Sequence, residues 1–350
     1  AKRRLTVARS RDKHKRPTMY DVAKLAGVSQ PTVSRVLNPT DNTSLISDDT
    51  TQRVLDAVRQ LGYRTNIVAR SLRTQRTQTV ALMIADIANA FYHGLARAVQ
   101  DVARQHGYEV LISNSDHEYE NEKHFCEIVL GRGVDGAILV PIHLTDADLL
   151  PYVEQTNIPF VVLGEQIHQD NVDVVYANDE QAMYDATMWL IRERSHTKVG
   201  FVGVPDFHPP GPRRFRGYCD AMQAAGLTVD QRFIHESDFT LEGGKRLAKE
   251  ILAVGELPGA FLVLNDLMAI GLILALQEAG VRVPEDVAIV GFDDIPEATI
   301  IRPALTTIAQ NPRDIGEKLA TALFDRIEKP EMVGKRIFES PLNLIPRQSA

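Results

Sequence analysis

The 350-residue sequence predicts an all-α head of three short helices, then an α/β core of two doubly wound parallel-sheet subdomains. Three observations carry this prediction. Two capped helices flank a glycine corner between Thr18 and Asn38. Basic residues crowd into the first 76 positions. From Gln78 onward, apolar strand-like runs alternate with amphipathic segments of helical length.

In the head, Thr18 and Asp21 have the spacing of a capping box, so a helix can start at Met19. Val22, Ala23, Leu25 and Ala26 give it one apolar face. Gly27 stops it, because glycine enters the left-handed conformation of a helix end without steric cost. Val28 plugs the corner, Ser29 is a second N-cap, and Pro31 is tolerated in the next first turn. In that second helix Val33, Val36 and Leu37 face inward, leaving Gln30, Thr32, Ser34, Arg35 and Asn38 outside. The pair is a helix-turn-helix whose second helix has the form to lie in a DNA major groove. An ordinary helical hairpin at the edge of an enzyme shares the same period and corner. The outward face favours DNA: it carries no Glu, and its polar groups bond phosphate oxygens and base edges.

Charge supports the same reading. Residues 1–76 hold 16 Lys/Arg and 6 Asp/Glu, a balance of +10. The remainder holds 23 of the 39 Lys/Arg and 40 of the 46 Asp/Glu, a balance of −17. Such a split suggests a module for a polyanion joined to a body that repels one. The longest apolar runs, such as Ala260–Leu264, fall far short of the ~18 residues needed to span a bilayer. The basic start has no apolar stretch behind it and does not read as a secretory signal. Cys126 and Cys219 lie outside any CxxC or Cys/His cluster, which favours reduced thiols over a disulfide or metal site.

Residues 1–16 form a basic arm without periodicity, either flexible until DNA orders it or simply a solvated tail. Ser47 caps a third helix, whose Val54, Leu55, Val58 and Leu61 close a mini-core, and Gly62 ends it. The head thus occupies 17–64, and 65–77 connects it to the core. Within that connection, 66–73 could form about two turns of helix, too short to be stable alone. It either folds when docked on DNA, with Leu72 as an apolar wedge beside Arg70 and Arg73, or packs as a linker on the next domain.

In the core, strands are expected at Val80–Ile84, Val110–Ser113, Gly136–Val140, Phe160–Leu163, Val174–Tyr176, Lys198–Gly203, Ala260–Leu264 and Val287–Phe292. Helices are expected at Phe91–His106, Glu120–Leu130, Glu180–Arg192, Arg214–Ala225, Leu241–Val254 and Asp266–Ala279. Two such units leave a cleft where strand C-termini point.

The quoted segments TMYDVAKLAGVSQPTVSRVLN, LGYRTNIVARSL, VPEDVAIVGFDD, PALTTI and PRQS together resemble the LacI/GalR family of bacterial transcription repressors, from about Pro17 to Ser349. The resemblance implies a cytoplasmic homodimer with helix-turn-helix heads, hinge helices and periplasmic-binding-protein-like cores. It implies pseudo-palindromic double-stranded operator DNA and a small effector as partners, with no cofactor. An arginine paired with a carboxylate in a cleft with aromatics favours a sugar or polyol as that effector, and neither a metal site nor a membrane span is expected. It divides the core into 78–177 with 310–340 and 178–309 with 341–350. Gln30, Pro31 and Arg35 match base-reading positions, with Pro31 departing from the polar or small residues frequent there. Thr18, Tyr20, Ser29, Thr32, Ser34 and Asn38 match positions that hold phosphates or brace the helix. Leu72 matches the hinge leucine that opens the central operator step, with Arg70 its neighbour. For the effector, the matching positions are Phe91, Tyr92, Arg214, Asn265 and Asp293, with Asp86, Asn89, His208 and Asp266 as weaker candidates. Arg213 and Arg216 are expected to face solvent, and Asp294 to bond local backbone.

Two other classes compete. A solute-binding protein that delivers sugar to a transporter fits residues 80–345 but not the basic head. An enzyme would need an acid/base set imagined from Asp293, His208 and Arg214, and no GxSxG, P-loop, HExxH or strand-linked GxGxxG is present.

Overall fold

A computed structural model describes residues 17–37, 46–64, 71, 75–156, 158–203 and 210–350. The chain divides into two units, Ala1–Thr77 and Gln78–Ala350.

The first unit contains α1 (Met19–Ala26), α2 (Gln30–Leu37) and α3 (Asp48–Leu61). The capping box forms as the sequence predicts: the Thr18 amide donates to Asp21 Oδ2 at 2.8 Å, and the Asp21 amide to Thr18 Oγ1 at 3.4 Å. Gly27 (φ +66°) and Gly62 (φ +59°) end α1 and α3 in the left-handed conformation. Val22, Ala23, Ala26, Val33, Val54, Ala57 and Tyr63 form the buried core. Two leucines depart from the expected inward face, Leu25 at 46% exposure and Leu55 at 38%. At about 100° per residue, each lies roughly 100° from the middle of its helix's buried stripe. Arg53 Nη1 donates to the Ala26 carbonyl at 3.3 Å, satisfying an orphan acceptor at the end of α1.

The second unit is built on two six-stranded sheets. The first comprises β1 (Thr79–Ile84), β2 (Glu109–Asn114), β3 (Ala137–Leu139), β4 (Phe160–Leu163), β5 (Asp173–Tyr176) and β11 (Ile337–Glu339). Their spatial order is β11-β5-β4-β3-β1-β2, parallel throughout. The second comprises β6 (Val199–Gly203), β7 (Ile234–Glu236), β8 (Ala260–Val263), β9 (Ala288–Asp293), β10 (Thr306–Ala309) and β12 (Asn343–Ile345). Their order is β12-β10-β9-β8-β6-β7. Only β12 runs antiparallel, against β10, a departure from the all-parallel expectation. The central strands are continuous apolar runs because helices cover both faces.

Those helices are α4 (Phe91–Gln105), α5 (Tyr119–Arg132), α6 (Asp146–Gln155), α7 (Asp179–Arg192), α8 (Pro210–Ala224), α9 (Leu241–Ala253), α10 (Asp266–Glu278), the short α11 (Glu297–Ile300) and α12 (Pro312–Glu328). The chain passes between the sheets three times: after β5, after β10, and between β11 and β12. After the second crossing, α12 packs on α4 and on β3 to β5.

An ionic cluster ties β5 to α12 and β11. Asp173 is fully buried and accepts from Arg326 Nη2 at 2.5 Å and from Arg336 Nη2 at 2.7 Å. Burial alone would raise its pKa, but bonds from Arg326 and Arg336 hold the carboxyl below its usual range. Cys126 and Cys219 are free thiols. Among the described residues, no helix is long and apolar enough to cross a membrane.

Candidate functional site

A cavity partly open to solvent receives residues from both sheets. Its first wall is the start of α4. Asn89 Oδ1 accepts from the Phe91 amide at 3.0 Å, fixing the first turn, and the Phe91 and Tyr92 rings meet edge to face at 5.1 Å. Both rings line the cavity. Burial first, and then the nearby Asp293 carboxylate, push the Tyr92 hydroxyl up, so it stays a neutral donor.

The opposite wall is centred on Arg214 in α8, only 7% exposed. Its guanidinium carbon lies 3.5 Å from the centroid of the Phe292 ring. Nη1 donates to the Leu264 carbonyl at 2.5 Å, and Nε to Asp179 Oδ2 at 3.3 Å. The fork is therefore oriented by three separate elements. Arg213, expected to face solvent, does not. It lines the cavity and grips Asp179 through Nε at 2.9 Å and Nη2 at 3.2 Å. Burial alone would lower it, yet the bonds to Asp179 hold the Arg213 guanidinium above its ordinary value. Arg216 is exposed and pairs with Glu180 at 2.9 Å.

Asp293 closes β9 with φ +116°, a backbone conformation that costs an ordinary residue energy and recurs at functional sites. Its Oδ1 accepts from Gln310 Nε2 at 2.7 Å, using one of about four lone-pair positions. Burial raises its pKa to about 6, against the opposing pull of Arg214 and the Gln310 bond. Asn265 caps α10, its Oδ1 accepting from the Met268 amide at 2.9 Å, while its Nδ2 donates to the Phe239 carbonyl at 2.9 Å. It lines the cavity while bracing the loop that carries Phe239.

Two weaker candidates fall away from the cavity. Asp266 is buried behind the wall: Oδ2 accepts from the Ile295 amide at 2.9 Å and Oδ1 from the Thr307 hydroxyl at 2.6 Å. Burial, reinforced by Asp293, raises its pKa well above the usual carboxylate range. Asp86 caps its own loop by accepting from the Ala88 amide at 2.8 Å and does not line the cavity. Asp294 forms an ion pair with Arg347 at 2.6 Å instead of binding only local backbone. His208 lies outside the described residues.

Several cavity residues carried no sequence motif: Asp179, His117, Tyr176, Phe239 and Gln310. Asp179, with Asn178 as N-cap before it, occupies the first turn of α7, where a helix start favours a carboxylate. That signal was readable but would not have named its arginine partners.

In the head, Gln30, Pro31 and Arg35 are exposed on α2, and Thr32 and Ser34 are half-buried. The Thr18 hydroxyl donates to Asp21 Oδ2 at 2.7 Å, and the Ser29 and Thr32 hydroxyls share a 2.9 Å hydrogen bond. Those hydroxyls brace helix starts. Tyr20 is 60% exposed. Asn38, Arg70 and Leu72 lie outside the described residues.

Comparison with known proteins matches residues 18–66 to the model of bacterial regulatory proteins of the lacI family, and 190–350 to a periplasmic binding protein-like domain. Catabolite control protein A of Priestia megaterium is 36% identical, across 95% of this chain and 98% of that protein. Among solved structures, the lac repressor dimer bound to operator and an anti-inducer superposes with a TM-score of 0.82 at 27% identity, covering 96% of this chain and 99% of that one. The transcriptional regulator CelR in complex with cellobiose gives 0.71 at 30% identity, covering 96% and 100%. Matched from head to core along nearly the whole length of such relatives, the chain belongs to the lacI family of bacterial regulatory proteins.

Proposed function

We propose that the chain is a dimeric transcriptional repressor whose affinity for operator DNA is set by a sugar or polyol bound between the two sheets. The observation that carries this reading is the joining, in one chain, of an exposed polar α2 and a cavity with a braced arginine fork facing a buried carboxylate. Aromatic faces with an arginine and a carboxylate suit an alternation of C–H faces and hydroxyls. The halves 78–177 with 310–340 and 178–309 with 341–350 would change their angle through the three crossings, two of which place Tyr176 and Gln310 on the cavity. The chain acts in the bacterial cytoplasm on the nucleoid, without catalysis.

Effector binding is tested by thermal shift against sugars, polyols and nucleosides. A ligand at 100 times its dissociation constant adds about 2.7 kcal/mol of stability. No shift with any sugar or polyol, alongside a shift with a nucleoside, would reassign the effector class.

Asp293 gives the binding a sign in pH. Its neutral form is favoured in the folded core, so its stabilising contribution is present below the ordinary value of 3.8 and is lost as pH rises through about 6. Hydroxyls that donate to the carboxylate favour its ionised form. Binding therefore releases a proton, and affinity should rise from pH 5 to 7 and then level off. Asp293→Asn should remove the slope in calorimetric titrations; a slope that survives in that variant assigns the proton elsewhere.

On DNA, Arg35→Ala should cost about 1–3 kcal/mol mainly at one base pair, the worth of a bidentate guanine contact. Ser34→Ala should weaken all operators alike. An operator-variant panel on which Arg35→Ala loses evenly would remove Arg35 from base reading.

A further inference from the structure

Side chains of the two halves meet at the cavity in several places, among them Gln310 with Asp293 and Arg213 with Glu165, and one such meeting is a ring pair on the rim. His117, in the loop between β2 and α5, stacks on Phe239, in the loop between β7 and α9, with ring centroids 5.1 Å apart and planes within 10°. The two loops belong to different sheets, and both rings line the cavity while remaining half-buried, as residues on a rim do.

The backbone behind each ring is held by its own half. The His117 carbonyl accepts from the His143 ring at 2.8 Å, and the Phe239 carbonyl from Asn265 Nδ2 at 2.9 Å. His117 and its neighbour Asp116 both lie at positive φ, +58° and +53°, a conformation that costs a residue other than glycine energy and persists only where its surroundings enforce it. The bend directs the imidazole over the cavity, toward the other half, rather than along β2. Burial lowers the pKa of His117, which keeps the ring neutral for stacking.

We propose that the His117–Phe239 stack is a latch: it holds the two halves together over the cleft, and an effector must part it to enter. The latch rests on the cleft being an effector site, but its test uses the chain without ligand, so the two ideas fail separately. The three chain crossings fix the halves covalently and leave their angle free, whereas a ring pair on the rim biases that angle. The stack thereby sets how often the ligand-free cleft opens and how fast it admits an effector.

Hydrogen–deuterium exchange of the full ligand-free chain measures that opening. His117→Ala and Phe239→Ala should each speed exchange by about two- to tenfold, the range set by losing one ring pair. The faster exchange should appear in both rim loops and in the cavity-lining segments 140–142 and 163–166, with the central strands unchanged. The double variant should add little to either single one, because both remove the same contact. His117→Phe, which keeps a ring, should restore protection, and His117→Leu, which fills the space without stacking, should not. Should His117→Ala fold poorly, the His117→Phe and His117→Leu pair decides alone. Faster exchange confined to the substituted loop, equal behaviour of Phe and Leu at 117, or fully additive effects would each overturn the latch.

Discussion

Replacing Arg214 with Ala is expected to weaken effector binding by about 100-fold or more, because a hydrogen bond from a charged donor contributes about 1.5–3 kcal/mol and the fork offers more than one. The guanidinium is positioned before any ligand arrives, by Phe292 beneath it, the Leu264 carbonyl and Asp179. Little of its binding energy is then spent on ordering the side chain. Arg214→Lys keeps the charge but has neither the planar fork nor the same stack, so it should lose nearly as much. Calorimetric titration with the effector found by thermal shift measures both variants. The substitution also strands the Leu264 carbonyl, at a cost of about 1–3 kcal/mol in stability, so titrations are read on the folded fraction. A well-folded Arg214→Ala chain that binds with unchanged affinity would displace Arg214 from the site.

Much of this molecule was legible because its signals are local. Thr18, Asp21, Gly27, Ser47 and Gly62 act within a turn of themselves, and the structure places caps and stops at each. The apolar runs at β1, β4, β8 and β9 could be read as buried strands, since covering helices remove the alternation that an open sheet would show. Strands β7, β10, β11 and β12 escaped notice: they are three or four residues long, with polar or exposed members such as Thr306, Thr307, Glu339 and Ile337. Helices α6 and α12 were not anticipated either, and α6 holds Pro151 within its span.

The cleft divides along the same line. Arg214, Asn265 and Asp293 stand in motifs at strand ends or helix starts, and all three line the cavity. Asp266 ranked below Asp293 only through the resemblance, because residue spacing could not show what physically separates them, depth behind the wall. Asp266 spends both oxygens on Ile295 and Thr307. Nor could His117 and Phe239 be paired, for they are 122 positions apart and meet only because two sheets face each other.

Asp179, whose arginine partners the sequence did not name, is a place where a single change should destabilise the core strongly. One carboxylate, 4% exposed, holds both Arg213 and Arg214, so Asp179→Ala leaves two guanidinium groups facing each other with less water to solvate them. Removing one partner of a buried pair costs about 3–5 kcal/mol, more than the pair itself contributes, because the stranded charge stays buried. Urea unfolding should show a loss of that size. Asp179→Asn should recover part of it, since its amide oxygen still accepts a hydrogen bond. The stranded-charge account makes a sharper demand of the double variant Asp179→Ala with Arg213→Ala. Taking away the less buried guanidinium relieves repulsion on Arg214, so the double variant should be no less stable than Asp179→Ala alone. If the single substitution costs under about 1 kcal/mol, the pairs behave like exposed surface bridges. The arginine fork would then owe its placement to Phe292 and the Leu264 carbonyl, and not to Asp179.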